Sequence, residues 1–178
     1  MPLKVQVSNL IDIAVAVVVI ISVYTDLKER KIYNVVILSG VLVGLLLNLL
    51  NYGGSGVLFS LKGLGAGLGL LFIPFALGGF GAGDVKLLGT IGALKGTLFV
   101  CKVFLATGIA GGVLAVFVLV KQKKLLTTLK RIGLSFFLLI TSVFKVNTLK
   151  NLDKAEFHES LPYGLAIGIG TLAAYLVG

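Results

Sequence analysis

Six apolar segments follow one another along this chain, and they restrict it to a fold that places them in a lipid bilayer. A helix that crosses the hydrocarbon core needs roughly 20 mostly apolar residues. Hydrophobic residues make up 57% of the 178 residues and charged residues 13%, against roughly 25% charged residues in soluble domains. The sequence predicts an all-α integral membrane protein, a bundle of about six transmembrane helices forming one domain, residues 1–178. The segments are residues 7–24, 35–50, 57–77, 85–94, 98–120 and 161–177.

The fourth segment, residues 85–94, is too short to cross a bilayer alone. We expect it to extend through Lys95 and Gly96 and to turn tightly into the fifth segment. Glycines spaced four apart recur within the segments and let facing helices approach closely, which favours a compact bundle. These pairs are Gly40/Gly44, Gly63/Gly67, Gly65/Gly69, Gly92/Gly96, Gly108/Gly112 and Gly164/Gly168.

The basic residues are distributed unevenly, and this asymmetry predicts the topology. Lysine and arginine are enriched on the cytoplasmic side of membrane proteins. The first segment has the pattern of a retained anchor with its N-terminus outside, so six spans leave the C-terminus outside as well. Twelve basic residues then fall inside: Lys28, Arg30, Lys31, Lys86, Lys121, Lys123, Lys124, Lys130, Arg131, Lys145, Lys150 and Lys154. Four lie outside or near the outer face, where the last three reach the surface by snorkelling: Lys4, Lys62, Lys95 and Lys102.

The long basic loop, residues 121–160, is predicted to lie on the cytoplasmic side. It contains an apolar stretch, residues 132–144, which is short and flanked by basic residues. These features favour a helix in the membrane interface over a seventh span, which would move the C-terminus inside. Basic clusters beside apolar spans are typical of contact with anionic lipids, so the net charge of +9 does not indicate a nucleic-acid partner.

Two aspartates occur at matching ends of apolar segments. Asp26 follows the first segment, and Asp84 lies between the third and fourth, so the predicted topology places both on the cytoplasmic face. Ionisable groups at membrane depth are costly and mark functional sites. Two neighbouring carboxylates can share a proton and supply both the acid and the base that hydrolysis needs. The pair therefore predicts an aspartyl peptidase that acts within the membrane.

Structural interpretations of these acids remain open at the level of sequence. Asp84 follows a glycine-rich turn and could cap a helix. Asp26 lies in a charged stretch, residues 26–31, where side chains are commonly solvated, and Glu29 is its rival acid. Asp12 is expected at the outer interface or beside a polar helix partner.

Cysteine and histidine are too scarce for the other common catalytic sites. Cys101 is the single cysteine, so neither a disulfide nor a cysteine-based metal site is expected. His158 is the single histidine, which excludes paired-histidine zinc sites and disfavours a Ser-His-Asp triad. We expect neither a metal nor a cofactor.

Three stretches together resemble the type IV prepilin peptidase family, especially its short forms from tight-adherence (Flp-type) pilus systems, with archaeal preflagellin peptidases as relatives. The stretch from Gly81 to Leu88, Gly-Ala-Gly-Asp-Val-Lys-Leu-Leu, is similar to the family's GxGD motif and the lysine that follows it. The stretch from Asp26 to Asn34 is similar to the first-aspartate segment, with Tyr33 in the place of a common proline. Leu161-Pro162-Tyr163-Gly164 resembles the segment before the final span.

The resemblance implies a catalytic pair, Asp26 and Asp84, in a six-helix membrane fold in the cytoplasmic membrane. It implies cleavage of pilin-like precursors at the cytoplasmic face, where a short basic leader meets a hydrophobic helix. Methyltransferase activity, which long forms of the family add, is not expected here. The resemblance assigns shaping of the site or substrate binding to six further residues: Asn34, Gly81, Gly83, Lys86, Pro162 and Gly164. Lys86 could equally be a lipid anchor.

Two functions of other classes compete with a peptidase. A small cation- or proton-coupled transporter would also use membrane carboxylates, but it predicts an acid near the bilayer midplane or an internal repeat. A non-catalytic scaffold for pilus assembly would tolerate the loss of both aspartates.

Overall fold

The computed structural model describes residues 2–121 and 163–177, and these residues form helices, of which the first four are joined by short connections. Four of the helices are long and apolar enough to cross a membrane, and the fifth is shorter. The prediction of an all-α membrane protein is confirmed. The helices are α1 (Pro2–Glu29), α2 (Asn34–Tyr52), α3 (Gly54–Ala76), α4 (Ala82–Lys121) and α5 (Tyr163–Leu176).

About six helices are predicted, and the described residues form five elements, one of which consists of two helical parts joined directly. The fourth and fifth apolar segments both lie in α4, whose backbone is interrupted at Gly96 with φ 82° and ψ 179°. Glycine adopts such a positive φ readily because it has no Cβ. The element α4 is therefore two helical parts that meet at a single interrupted residue, with no loop between them.

The chain reverses direction at Gly96, as contacts along α5 demonstrate. The ring of Phe99, just after Gly96, lies 4.9 Å from the ring of Tyr175 near the end of α5. Further along α4, Thr107 packs against the backbone of Gly170 in the middle of α5. The part of α4 after Gly96 therefore runs antiparallel to α5, and the predicted turn is present within the helix.

Helices α1 and α5 are also antiparallel and define the two ends of the bundle. At one end Asp26 of α1 contacts Gly164 of α5, and at the other Asp12 contacts Tyr175. We call these the site end and the far end. The part of α4 before Gly96 occupies the core, since Leu87, Leu88 and Ile91 are fully buried.

Glycines bring α3 and α4 into backbone contact. A Cβ on Gly63 would lie 1.9 Å from the carbonyl oxygen of Gly92, and one on Gly67 would lie 2.5 Å from that of Leu88. These distances leave no room for a side chain, so the Gly63/Gly67 pair packs as predicted. The Gly65/Gly69 pair does not, since nothing lies within 4 Å of either added Cβ.

A buried amide joins three helices toward the far end. Asn48 of α2 is 1% exposed, and its Nδ2 donates to Ser60 Oγ of α3 at 2.9 Å and to the Ala93 carbonyl of α4 at 3.2 Å. A polar group in lipid must find its partners within the protein. The sequence analysis did not identify this contact.

Several predictions concern residues beyond those described. The interfacial helix at 132–144, the loop after Lys121, and Pro162 lie outside the described residues. Residues 1–111 and 162–178 form one compact unit, and a second unit covers 112–161, of which the end of α4 is described. The single-domain assignment, the cytoplasmic face and the location of the termini stay predictions.

Candidate active site

Asp26 lies in the last turn of α1, and its carboxylate is held by the beginning of α5. The backbone N–H of Gly164 donates to Asp26 Oδ2 at 2.9 Å. Gly164 is the second residue of α5, where backbone N–H groups have no acceptor within the helix and the helix dipole favours a negative charge. A Cβ on Gly164 would lie 2.7 Å from Asp26 Oδ2. Only glycine therefore permits this approach.

Asp84 lies in the first turn of α4 and is only 7% exposed. Its Oδ2 accepts a hydrogen bond from the backbone N–H of Gly81 at 3.1 Å, while the Asp84 N–H donates to the Gly81 carbonyl at 3.1 Å. This reciprocal pair is one half of a capping arrangement at a helix start. The residue in the N-cap position is Gly81, so Asp84 is not itself the N-cap.

Both aspartates line one cavity at the site end. The cavity has a volume of about 400 Å³ and is formed by two stretches of the chain, residues 26–34 and 81–84. The two carboxylates are near enough to repel each other electrostatically. The predicted topology places both aspartates at the same membrane face, and the fold brings them to the same cavity. Its lining residues are Asp26, Arg30, Lys31, Ile32, Tyr33, Asn34, Gly81, Ala82, Gly83 and Asp84.

The connection between α1 and α2 lies over the beginning of α4 and closes one side of the cavity. A Cβ on Gly83 would lie 3.0 Å from Ile32 Cβ, so the glycine lets the connection approach. Arg30 has φ 52°, a left-handed conformation that is uncommon for residues other than glycine, and its N–H donates to the Asp26 carbonyl at 2.9 Å. This turn ends α1 after Glu29, three residues beyond Asp26.

Asn34 and Lys86 contact each other at the edge of the cavity. Lys86 Nζ of α4 donates to Asn34 Oδ1 at the start of α2, with a distance of 3.0 Å. Asn34 lines the cavity, and Lys86 is exposed. The contact therefore links the beginning of α2 to the first turns of α4, which gives Lys86 a structural partner beside the site.

Tyr33, which stands where related sequences commonly have proline, is tied to Glu29. Its hydroxyl donates to the Glu29 carboxylate one helical turn before it. The accepting carboxylate and its negative charge raise the pKa of Tyr33 above its usual value. Glu29 is exposed and so presents an acidic group at the rim of a cavity whose lining includes two basic side chains.

An aromatic contact that sequence reasoning missed joins the two glycine-containing segments. The rings of Phe80 and Tyr163 have centroids 4.6 Å apart. Phe80 precedes Gly81, and Tyr163 precedes Gly164. Each residue adjoins a quoted motif, but the sequence carries no sign that the two rings meet. The contact therefore lies beside both glycines whose N–H groups donate to the carboxylates, Gly81 and Gly164.

Within the described parts of the chain, no group of three or more His, Cys, Asp or Glu side chains is arranged to hold a metal ion. That the protein uses neither a metal nor a cofactor stays a prediction.

A model of the type IV leader peptidase family matches residues 13–116, more than half of the chain. The match contains both aspartates, the glycines of the Gly81–Asp84 stretch, Asn34 and Lys86. It does not extend to Gly164, the partner of Asp26. No curated protein and no solved structure matches the chain.

Proposed function

This chain belongs to the type IV leader peptidase family, and from that premise we propose that it is a membrane-embedded aspartyl endopeptidase with Asp26 and Asp84 as its catalytic pair. The observation that carries the proposal is the shared cavity, which both carboxylates line at one end of the bundle. The family resemblance inferred from the sequence is confirmed by the family match. The aspartic mechanism and the assignment of the pair are our proposal.

Two close carboxylates resist double ionisation and can hold one proton between them. In the proposed reaction the ionised carboxylate removes a proton from a water molecule as that water attacks the carbonyl carbon of the scissile peptide bond. The protonated carboxylate donates to the carbonyl oxygen. When the tetrahedral intermediate collapses, the C–N bond breaks and the proton taken from water passes to the leaving amine. One hydroxyl group of the intermediate returns a proton to the carboxylate that had donated to the carbonyl oxygen, so the pair again holds one proton. This cycle uses neither a metal nor a cofactor.

The glycine amides give each carboxylate a fixed orientation. Gly164 N–H and Gly81 N–H each donate to one oxygen, Oδ2, of Asp26 and Asp84 respectively. General acid–base catalysis depends on such positioning, because a displacement of about 1 Å can reduce a rate 100-fold. We therefore assign Gly81, Gly83 and Gly164 the role of positioning the pair. Asn34 and Lys86 shape the edge of the cavity in this proposal.

The proposed substrates are pilin-like precursors, which the family's function indicates, cleaved at the cytoplasmic membrane face between a short basic leader and a hydrophobic helix. Arg30 and Lys31 line the cavity and would repel a basic leader. Glu29 at the rim has the complementary charge, so we propose that the leader passes on that side. No methyltransferase activity is expected.

The test is cleavage of a co-expressed precursor, read by gel shift and by the mass of the product. Asp26→Asn and Asp84→Asn should each abolish cleavage, because asparagine keeps the shape of the side chain but cannot exchange the proton. Asp12→Asn is a matched control, since it makes the same change in α1 at the far end, and it should retain cleavage. Membrane fractions probed for each variant separate loss of activity from loss of protein.

Two results would contradict the proposal. Normal cleavage by either Asp26→Asn or Asp84→Asn would exclude the pair while leaving a peptidase. If wild type cleaves no precursor, and both variants still support pilus assembly, the protein acts as a scaffold instead.

A further inference from the structure

A second cavity lies at the far end of the bundle, around the reversal at Gly96. Its volume is about 460 Å³, and its lining includes three lysines, Lys62 of α3 and Lys95 and Lys102 of α4. None of these belongs to the site that contains Asp26 and Asp84. Like charges repel, so the convergence of three lysines on one cavity favours a ligand of opposite charge.

The charges of this cavity are only partly balanced within the described residues. Lys95 Nζ forms an ion pair with Asp12 Oδ1 at 2.6 Å. Lys62 and Lys102 are exposed and have neither an ion pair nor a hydrogen bond to any side chain that the structure describes. Three ammonium groups and one carboxylate leave an excess of positive charge. Such an arrangement attracts an anion with several acceptor oxygens.

Apart from Thr97, the remaining lining is apolar, and part of it is held rigidly. The ring of Phe59 lies directly on Gly96, because a Cβ there would be 2.1 Å from Phe59 Cζ. Phe99 is fixed between Tyr175, with ring centroids 4.9 Å apart, and Lys95, whose Nζ is 5.2 Å from the Phe99 ring. Leu98 is 83% exposed beside them. The lysines therefore adjoin hydrocarbon-binding surface.

We propose that this far-end cavity binds an anionic phospholipid, with the lipid phosphate among Lys62, Lys95 and Lys102 and the acyl chains along Phe59 and Leu98. A free phosphate ion shares the headgroup chemistry but gains nothing from the exposed apolar surface. A phospholipid has a phosphate for the lysines and acyl chains for the apolar residues of the cavity. A helix bundle in a bilayer is also surrounded by lipid. Because Lys62 lies on α3 and Lys102 follows the reversal in α4, a bound lipid bridges α3 and the two parts of α4.

The experiment compares lipids on the full-length protein purified in a neutral detergent. Phosphatidylglycerol, phosphatidylcholine and inorganic phosphate are titrated separately, with bound lipid counted by native mass spectrometry and the melting temperature followed in parallel. Wild type should bind phosphatidylglycerol more tightly than phosphatidylcholine and should melt at a higher temperature with it. Each lysine removed should weaken phosphatidylglycerol binding about fivefold, and Lys62→Gln with Lys102→Gln about 20-fold.

Charge-matched variants distinguish a built site from general attraction. The pair Lys62→Arg and Lys102→Arg should keep the preference for phosphatidylglycerol. The control pair Lys28→Gln and Lys121→Gln removes the same charge from outside the cavity and should also keep it. Equal binding of the two lipids by wild type would overturn the proposal, as would unchanged phosphatidylglycerol binding by the Lys62→Gln and Lys102→Gln pair. Stabilisation by inorganic phosphate alone, without a lipid preference, would identify a phosphate ion as the ligand and overturn the lipid assignment.

Discussion

Gly164→Ala tests the proposed site through a backbone contact and leaves both aspartates in place. The new Cβ would lie 2.7 Å from Asp26 Oδ2 and 2.9 Å from Asp26 Cβ. Non-bonded carbon atoms pack at about 3.5–4.0 Å, so α5 or the Asp26 side chain must move by roughly 0.6–1 Å. This movement lengthens or breaks the hydrogen bond from Gly164 N–H to Asp26 Oδ2, which is 2.9 Å in the native protein.

The size of the effect follows from that displacement. A hydrogen bond to a charged group contributes about 1.5–3 kcal/mol, and a shift of about 1 Å in a catalytic group can reduce a rate about 100-fold. A 100-fold loss in kcat corresponds to about 2.7 kcal/mol in the activation free energy. We expect a loss of this order in kcat, with KM changed less, because the substitution displaces a proposed catalytic group and replaces no residue that lines the cavity.

The assay is cleavage of a purified precursor in detergent, with kcat and KM measured beside the melting temperature. Gly168→Ala is the matched control, since it lies one turn further along α5 and also faces α1. Its Cβ would meet Val23 Cγ2 at 2.8 Å, a crowding of the same interface that does not touch Asp26. The control should melt at a lower temperature and retain kcat. A folded Gly164→Ala protein with the wild-type kcat would refute the role assigned to this glycine.

Two further substitutions test contacts away from the pair. Lys86→Met removes the hydrogen bond to Asn34 and should lower kcat/KM. Combining it with Asn34→Ala should lower kcat/KM little further. Additive losses in this double-mutant cycle would show that the two side chains act separately. Asn48→Leu removes the amide that joins α2, α3 and α4. The free energy of unfolding in detergent should fall by about 0.6–1.7 kcal/mol, and kcat should be retained. An unchanged free energy of unfolding would contradict the contribution assigned to this amide.

Hydropathy and the distribution of charge predicted the membrane fold and a common end of the bundle for the two aspartates. These two features of the fold depend on short stretches of sequence, which is why they could be predicted. At Gly96 a single residue reverses the chain, so the fourth and fifth apolar segments follow each other in α4 without a loop. Apolar length indicates how much chain lies in the membrane, but it does not indicate whether a connection separates two spans. The expectation of a tight turn was nevertheless correct, because residues 85–94 are too short to cross alone.

Contacts between distant residues were beyond the sequence analysis for a physical reason. Asn48 lies near the end of an apolar segment, where an amide is compatible both with the membrane interface and with burial. Its hydrogen-bond partners lie on two other helices, α3 and α4. Lys62, Lys95 and Lys102 were each expected to snorkel separately to the outer face. Their convergence depends on the reversal at Gly96, which places residues on both sides of it beside α3.

The arrangement of glycines around the aspartates is explained by what a carboxylate pair requires in a membrane. A buried carboxylate needs a hydrogen-bond donor. A backbone amide at a helix start satisfies one oxygen without adding a full charge. The structure supplies this donor twice, from Gly81 to Asp84 and from Gly164 to Asp26. Phe80 and Tyr163 precede these glycines and pack on each other, so the two helix starts that carry the donors are in contact.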